Sequence, residues 1–349
     1  MKNISLIIVI TLIFIFVINL LIVVAWPIYS KLNANKHEFI NEQIDLLGLS
    51  ETDLVILHNE TWKNYDKFRF IPYLGHSETE RKGKFVNFTE KNGRKVERPK
   101  QCPEKYYIYG GSTTFGYNVT DNQTIGQYLQ NLLNDDGCVY NHGRAYYYSK
   151  QENNLFINHI ENGRQIDHAF FLDGVNERCG GYEYSKHLNR SFNMLVDRPF
   201  LMWKTSLKNF IFTLPVVQFT NSLFGKNRWI QDDNNNIVKI ENCSENIDLE
   251  NLYQARLNVR KAICEINNIK CYSFFQPMAP THGVQIPKLL PKFYWDSLVE
   301  KFNKLSKVDD HIELGYILDN DKTLSYIDGV HYSPASNKKI ASEIFKYLN

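Results

Sequence analysis

The sequence predicts an α/β fold in which helices cover a mostly parallel sheet. From residue 104 onward, short apolar strands alternate with stretches of helical spacing, and this order is typical of parallel sheets. The clearest strand is the buried run 169–172, and the clearest helix is 124–133, whose leucines recur on one side. Further strands are predicted at 106–109, 138–141 and 271–275, and further helices at 151–160, 247–267 and 333–348.

The composition is that of a globular protein with a large core. Of 349 residues, 43% are hydrophobic and 22% are charged, which excludes wholesale disorder. Lys and Arg total 40 against 38 Asp and Glu, a net charge of +2. A dedicated nucleic-acid binder usually carries a basic excess, so we expect no nucleic-acid partner.

The amino terminus predicts a single membrane-spanning helix within residues 1–30. The run from Ile4 to Trp26 is apolar, and no charge falls between Lys2 and Lys31. A cleaved signal peptide is the alternative, but its apolar region is shorter and a small-residue cleavage site follows it. The count of basic residues slightly favours a cytoplasmic body. The even set of six cysteines and the six Asn-x-Ser/Thr sequons that follow the apolar run favour the outside, and we expect an extracytoplasmic domain.

Two regions surround or interrupt the α/β pattern. Residues 31–100 predict a polar, partly helical stalk and a small accessory β segment, with a hairpin turn at Asn92-Gly93. The basic residues of that segment alternate with Glu, which favours a solvated face over an anion site. Residues 101–349 form the main domain, and 179–246 is an insertion within it. Its apolar stretch 200–224 is interpreted as core packing or a lid rather than an interfacial helix.

A candidate nucleophile follows the first strand of the main domain. There Gly110 and Gly111 precede Ser112, at a strand end where open α/β sheets bind ligands. Glycines allow a tight turn and the close approach of a substrate. A serine N-cap is the plain alternative, and a phosphate-binding loop is weaker because its lysine is missing.

Three later segments contain the partners that a nucleophilic serine needs. Gly143 follows the second strand and can offer a main-chain N–H, and Asn176 follows the buried strand and can offer its amide. Asp328 and His331 are three residues apart before the last helix, so the carboxylate can orient the imidazole toward Ser112. Taken singly, each segment is equally an ordinary turn, a cap or a surface histidine.

In this order the four segments resemble the SGNH hydrolases, also called the GDSL-like esterase and lipase family, in a membrane-anchored variant with Gly-Gly-Ser-Thr-Thr-Phe-Gly. The resemblance covers 104–178 and 248–349, and it departs from the family at Gly111 and Glu177, where Asp is usual. It implies a flavodoxin-like three-layer α/β/α sandwich and needs no cofactor or metal. The implied catalytic residues are Ser112, Asp328 and His331, and the implied oxyanion hole is formed by Ser112, Gly143 and Asn176.

Other groups compete for a place in the site. His142 and His282 are rival bases, but neither has a carboxylate close in sequence, so His331 is preferred. The run Tyr146-Tyr147-Tyr148 either stacks on a sugar ring or packs in the core.

The cysteines predict three disulfides, because the strands of a parallel sheet begin at a common end. Cys102 and Cys138 precede or open neighbouring strands, and Cys264 and Cys271 flank one short connection. Cys179 and Cys243 bracket the insertion and form the third predicted pair.

Together these features predict a membrane-anchored serine esterase or deacylase. The expected substrate is an acyl ester of a glycan or lipid, with O-acetyl groups on surface carbohydrate favoured. An O-acyltransferase with the same triad remains an alternative, as do a lipase and a non-catalytic carbohydrate-binding relative.

Overall fold

The computed structural model describes residues 43–63, 68–179, 248–281, 292–319 and 324–348, together with Phe14 and Val17. From residue 43 onward they all belong to one compact unit, which comprises Phe39–Tyr182 and Ser244–Asn349. Its strands are β1 (Phe68–Ile71), β2 (Gly75–Glu78), β3 (Arg81–Lys82), β4 (Asn87–Thr89), β5 (Gly93–Arg94), β6 (Lys105–Gly110), β7 (Cys138–Asn141), β8 (His168–Asp173), β9 (Lys270–Phe275) and β10 (Ile312–Glu313). Its α-helices are α1 (Glu51–His58), α2 (Ser112–Phe115), α3 (Ile125–Leu133), α4 (Ser149–Glu161), α5 (Leu249–Ile266), α6 (Lys292–Leu305) and α7 (Pro334–Lys346).

The centre of the unit is a parallel sheet in the order β7-β6-β8-β9-β10. With β6 counted as the first strand, the order is 2-1-3-4-5, which is that of flavodoxin-like folds. The predicted α/β class and parallel sheet are therefore confirmed. From β6 the chain adds β7 on one side of the sheet and then β8, β9 and β10 on the other, so the crevice at the carboxyl ends of β6 and β8 is where such folds bind ligands.

Helices cover both faces of this sheet because successive strand residues point to opposite sides. Tyr106 and Ile108 of β6 face one apolar cluster, to which α3 and α7 contribute Leu129 and Ile340. Tyr107 and Tyr109 face the other cluster, which includes Phe156 of α4. The three layers thus follow from strand alternation between two helical faces.

Most predicted elements form within one or two residues of their expected bounds. Capping residues explain why the helix starts could be predicted. Thr124 accepts a hydrogen bond from the main-chain N–H of Gln127 at the start of α3, and Ser333 accepts one from the main-chain N–H of Ser336 at the start of α7. The predicted hairpin is present as the antiparallel pair β4–β5. That hairpin does not stand apart, since β5 pairs with β7 and extends the main sheet to eight strands.

Two of the predicted disulfides are present. Cys102 pairs with Cys138 and Cys264 with Cys271, each at the start of a strand of the parallel sheet. The third predicted pair involves Cys243, which lies outside the described residues.

Several other predictions also lie outside the described residues. They concern the insertion after residue 179, His282, and the apolar run 4–26 except at Phe14 and Val17. Within the described part of the chain, no helix has both the length and the apolar composition that crossing a bilayer requires.

Candidate active site

The turn after β6 presents Ser112 at the carboxyl edge of the sheet. Strand β6 ends at Gly110, Gly111 is the N-cap of α2, and Ser112 is its first residue. A Cβ on Gly111 would lie 2.6 Å from the amide nitrogen of Asn176, so a larger residue here would displace that amide. The close approach brings Ser112 and the segment after β8 together.

The loop before α7 brings His331 to this serine. Its Nε2 lies 2.9 Å from Ser112 Oγ, and its Nδ1 lies 2.7 Å from Asp328 Oδ2. The imidazole is 7% exposed, so it is shielded from water while it faces the hydroxyl. Because Asp328 accepts at Nδ1, the neutral ring carries its hydrogen there and leaves Nε2 to accept the serine proton.

The carboxylate of Asp328 is fixed by main-chain donors. Its Oδ1 accepts the N–H groups of Val330 and His331, each at 2.8 Å. Burial acts to raise the pKa of Asp328, but the adjacent His331 and these hydrogen bonds outweigh it and hold the pKa below its usual value. Asp328 is therefore ionised when His331 becomes protonated, and it stabilises the imidazolium.

The three candidate oxyanion donors, Asn176 and the main-chain N–H groups of Ser112 and Gly143, have different hydrogen-bond partners. Asn176 lies in the helical turn after β8, with its amide nitrogen next to Gly111 and donating one hydrogen bond to the carbonyl of Tyr147 at 2.8 Å. An amide nitrogen carries two hydrogens, so the second can serve a substrate oxygen. The main-chain N–H of Ser112 belongs to the first turn of α2, where such groups have no partner within the helix.

Gly143 is packed tightly against the nucleophile segment. A Cβ there would lie 2.3 Å from the main-chain nitrogen of Phe115. Its N–H donates to Asn141 Oδ1 at 3.1 Å, and Asn141 in turn donates to the carbonyl of Thr114. Gly143 thus has a clear steric role, and its role as an oxyanion donor stays a prediction.

A buried ionic network supports the Asn176 segment from behind. Glu177 accepts the N–H and the hydroxyl of Ser149 at 2.5 and 2.8 Å, so it ties the turn after β8 to the start of α4. Arg256 lies 3.3 Å from the same carboxylate. Burial, with the nearby charge of Asp173, raises the pKa of Glu177 to about 7 against the pull of Arg256. Glu177, which the resemblance marked as a departure, here holds the position of its neighbour.

The other side chains that the sequence offered for the site, His142 and the tyrosines 146–148, have different surroundings. His142 is fully buried, its ring centroid lies 4.3 Å from that of His159, and burial holds its pKa well below the usual value. It is a neutral core residue. Tyr147 and Tyr148 are buried, whereas Tyr146 is 46% exposed with a φ of +63°.

Sequence reasoning missed residues that contact the site. Gln276 after β9 accepts from the hydroxyl of Thr113 at 2.6 Å. Asn118 donates to Asp328 Oδ2 at 2.7 Å. Asn118 is part of an Asn-x-Thr sequon, which says nothing of a catalytic contact, and Gln276 belongs to none of the four segments, so only the fold brings the two residues to the site. Among the described residues, no cluster of three or more His, Cys, Asp or Glu side chains could hold a metal ion.

Comparisons with known proteins give weak likenesses. No family model matches the sequence, and no curated protein matches it. Among solved structures, Est24, a carbohydrate acetylesterase from Sinorhizobium meliloti, aligns over 70% of this chain and 98% of its own at 12% identity and a TM-score of 0.40. The acetyl xylan esterase AlAXEase aligns over 70% and 100% at 13% identity and a TM-score of 0.35. A candidate lipolytic protein of the G-D-S-L family from Desulfitobacterium hafniense DCB-2 aligns over 70% and 99% at 10% identity and a TM-score of 0.35.

The assignment rests instead on geometry within this chain. Four segments far apart in sequence meet where β6, β7 and β8 end, and two of them bring a hydroxyl, an imidazole and a carboxylate into hydrogen-bonding range. The strand order 2-1-3-4-5 is flavodoxin-like, and the hydroxyl, imidazole and carboxylate meet at the edge of the sheet where such folds bind ligands.

Proposed function

We propose that this protein is a serine esterase that removes small acyl groups from a membrane-proximal substrate. The observation that carries the proposal is the continuous relay from Ser112 Oγ through the two ring nitrogens of His331 to Asp328, with distances of 2.9 and 2.7 Å. The alternative of a non-catalytic relative does not require a hydroxyl, an imidazole and a carboxylate to be aligned in this order.

The relay supports a two-step acyl transfer. His331 Nε2 takes the proton of Ser112 Oγ as the oxygen attacks the ester carbonyl carbon, and the carbonyl oxygen becomes an oxyanion beside the Asn176 amide. The tetrahedral adduct collapses when the protonated His331 gives its proton to the departing alkoxide, which leaves an acyl-serine and an alcohol. Water then attacks the acyl-serine, loses a proton to His331, and releases the acid as Ser112 regains its hydrogen.

A small cavity is lined by sequence neighbours of the site residues. Its lining includes Thr113, Val175 and Val330, which adjoin Ser112, Asn176 and His331 in sequence. The preference for a small acyl group, acetyl above all, is carried over from the sequence prediction, and the comparison of acetate with butyrate esters below tests it.

The membrane location rests on the sequence and on the disulfides. The uncharged run from Ile4 to Trp26 is long enough to span a bilayer. Disulfides persist in oxidising compartments, so the pairs Cys102–Cys138 and Cys264–Cys271 favour a domain outside the cytoplasm. Protease protection of right-side-out vesicles tests this orientation: protection of the domain from added protease contradicts it.

A serine-directed fluorophosphonate probe tests the proposed chemistry. We expect the wild type to be labelled and to hydrolyse p-nitrophenyl acetate faster than the butyrate, and Ser112→Ala to do neither. Ser306→Ala is the matched control, since Ser306 lies after α6 and its hydroxyl donates to the carbonyl of Asn303. Equal labelling of wild type and Ser112→Ala excludes Ser112 as the nucleophile. Adding a carbohydrate acceptor shows whether the acyl group passes to water or to a sugar hydroxyl.

A further inference from the structure

Asp328 has a side-chain partner besides the catalytic histidine. Asn118 donates its amide hydrogen to Asp328 Oδ2 at 2.7 Å, the same oxygen that faces His331 Nδ1. Asn118 lies 210 residues before Asp328, in the connection between α2 and α3. The contact therefore joins the loop of the catalytic acid to the nucleophile segment.

The orientation of the Asn118 amide is determined by its second partner. The indole N–H of Trp62 donates to Asn118 Oδ1. An indole nitrogen only donates and an ionised carboxylate only accepts, so Oδ1 must face Trp62 and the amide nitrogen must face Asp328. Asn118 has a φ of +63°, a left-handed conformation that asparagine tolerates better than most residues.

Trp62 is itself held against the histidine side of the site. Its ring centroid lies 5.0 Å from that of Tyr117 and 5.8 Å from that of His331. It belongs to the helical turn Asn59–Lys63, where Glu60 accepts the main-chain N–H groups of three consecutive residues, Lys84, Phe85 and Val86. The segment before the main domain is thereby fastened to the sheet extension and presents Trp62 to the triad.

The surroundings of Asp328 explain why such a contact is needed. The side chain is 30% exposed, and it borders a cavity of about 200 Å³ that is also lined by His58, Trp62 and Asn118. The two main-chain N–H groups hold only Oδ1, so Oδ2 on the open side depends on His331 and Asn118 for its position. The hydrogen bond from Asn118 acts on the oxygen that must stay on His331.

We propose that Asn118 and Trp62 are positioning residues that keep Asp328 Oδ2 on His331 Nδ1. The inference rests on the proposed esterase function and adds two residues from outside the four motifs. Trp62 acts through Asn118, so the two form one chain of hydrogen bonds that ends at the triad. The titratable groups facing this chain are His331 and Tyr117, which stack with centroids 5.6 Å apart, and His58 across the cavity.

The test is a double-mutant cycle on the full-length protein. Asn118→Gly removes the amide and keeps the left-handed backbone, and Trp62→Phe keeps a ring and removes the N–H. We expect Asn118→Gly to lower kcat for p-nitrophenyl acetate by about 10- to 100-fold with KM nearly unchanged, since misplacement of a catalytic group acts on the transition state. Trp62→Phe should cost about 5-fold alone and less than about 2-fold in the Asn118→Gly background.

All rates are divided by the concentration of active sites, and the rate of fluorophosphonate labelling gives a second measure of Ser112 activation. Asn268→Gly is the matched control, because Asn268 also has a positive φ, +53°, and is exposed in the connection from α5 to β9. If the wild type is labelled and active and Asn118→Gly has the same kcat as the wild type, the inference is overturned and the proposed function stays intact. If Trp62→Phe lowers kcat by the same factor in the wild-type and Asn118→Gly backgrounds, the claim that Trp62 acts through Asn118 is overturned. A wild type that is neither labelled nor active overturns the proposed function, and the inference with it.

Discussion

The histidine side of the candidate site and its oxyanion side are held by different kinds of contact. On the histidine side, Asp328 receives hydrogen bonds from two main-chain N–H groups, and His331 lies between it and Ser112. On the oxyanion side, Asn176 and Gly143 are placed by close packing against the nucleophile segment. The first side is thus sensitive to the loss of a hydrogen bond, and the second to the addition of atoms.

The largest effect is expected on the histidine side. Asp328→Asn replaces an acceptor by a group that can present an N–H to His331 Nδ1, which favours the wrong ring tautomer. We expect kcat per folded, titrated active site to fall by about 10⁴-fold, the scale of this substitution in serine-protease triads. Steady-state kinetics with active-site titration measures it. Asp309→Asn, an exposed change before β10, should keep wild-type activity.

Retention of most activity in Asp328→Asn contradicts the assignment of Asp328 as the orienting group. It does not affect the assignment of Ser112, which the covalent probe tests separately.

The second prediction separates the two oxyanion candidates. Asn176→Ala removes a donor and leaves space, so we expect kcat to fall by about 10²- to 10³-fold with only a small loss of stability. Gly143→Ala keeps its N–H but adds a Cβ 2.3 Å from the Phe115 nitrogen. It should destabilise the domain by about 1–3 kcal/mol or more and lower activity through the fold.

Thermal melting and kinetics on both variants decide this contrast. If Gly143→Ala melts like the wild type, the packing account of Gly143 is wrong. If Asn176→Ala keeps full kcat, Asn176 is not an oxyanion donor.

The sequence predicts the strand ends well because chemistry and local pattern coincide there. Ser112, Asn176 and the Asp328–His331 pair each follow an apolar strand or precede a capped helix, so the sheet rule places them at one edge. The cysteine pairs could be predicted for the same reason, since parallel strands begin together. Local periodicity and topology are sufficient for these features.

The side-chain contacts between the amino-terminal segment, the connection after α2 and the loop before α7 could not be predicted from the sequence. Trp62 belongs to a segment that the sequence marks only as a polar stalk and an accessory β region, and Asn118 to a connection whose sequon gives no sign of a catalytic contact. Their meeting with Asp328 depends on contacts between distant segments, such as those of Glu60 with the main-chain N–H groups of Lys84, Phe85 and Val86. Likewise, the sequence offers no signal that Asn141 would accept the N–H of Gly143.

The smallest expected effect concerns the network behind Asn176 and its dependence on pH. The pKa of Glu177 rises from 4.5 to about 7 on folding, mainly because the carboxylate is buried. Between these values the folded state holds a proton that the unfolded state has lost, so this group's contribution to stability is full below about pH 4.5 and is lost as the pH rises through about 7. Glu177→Gln imitates the protonated form at every pH. Its free energy of unfolding relative to wild type should therefore rise between pH 4.5 and 8, by on the order of 2–3 kcal/mol.

Chemical denaturation of both proteins at pH 5 and pH 8 measures this difference, with Glu161→Gln as the control because Glu161 is exposed at the end of α4. Glu177→Gln also keeps an acceptor for Ser149, so Asn176 should stay in place and kcat should change by less than about 5-fold. A stability difference that is constant across this pH range would show that Glu177 is ionised throughout, paired with Arg256. The oxyanion side would then be held by an ion pair as well as by close packing, and it would resemble the histidine side in depending on charge.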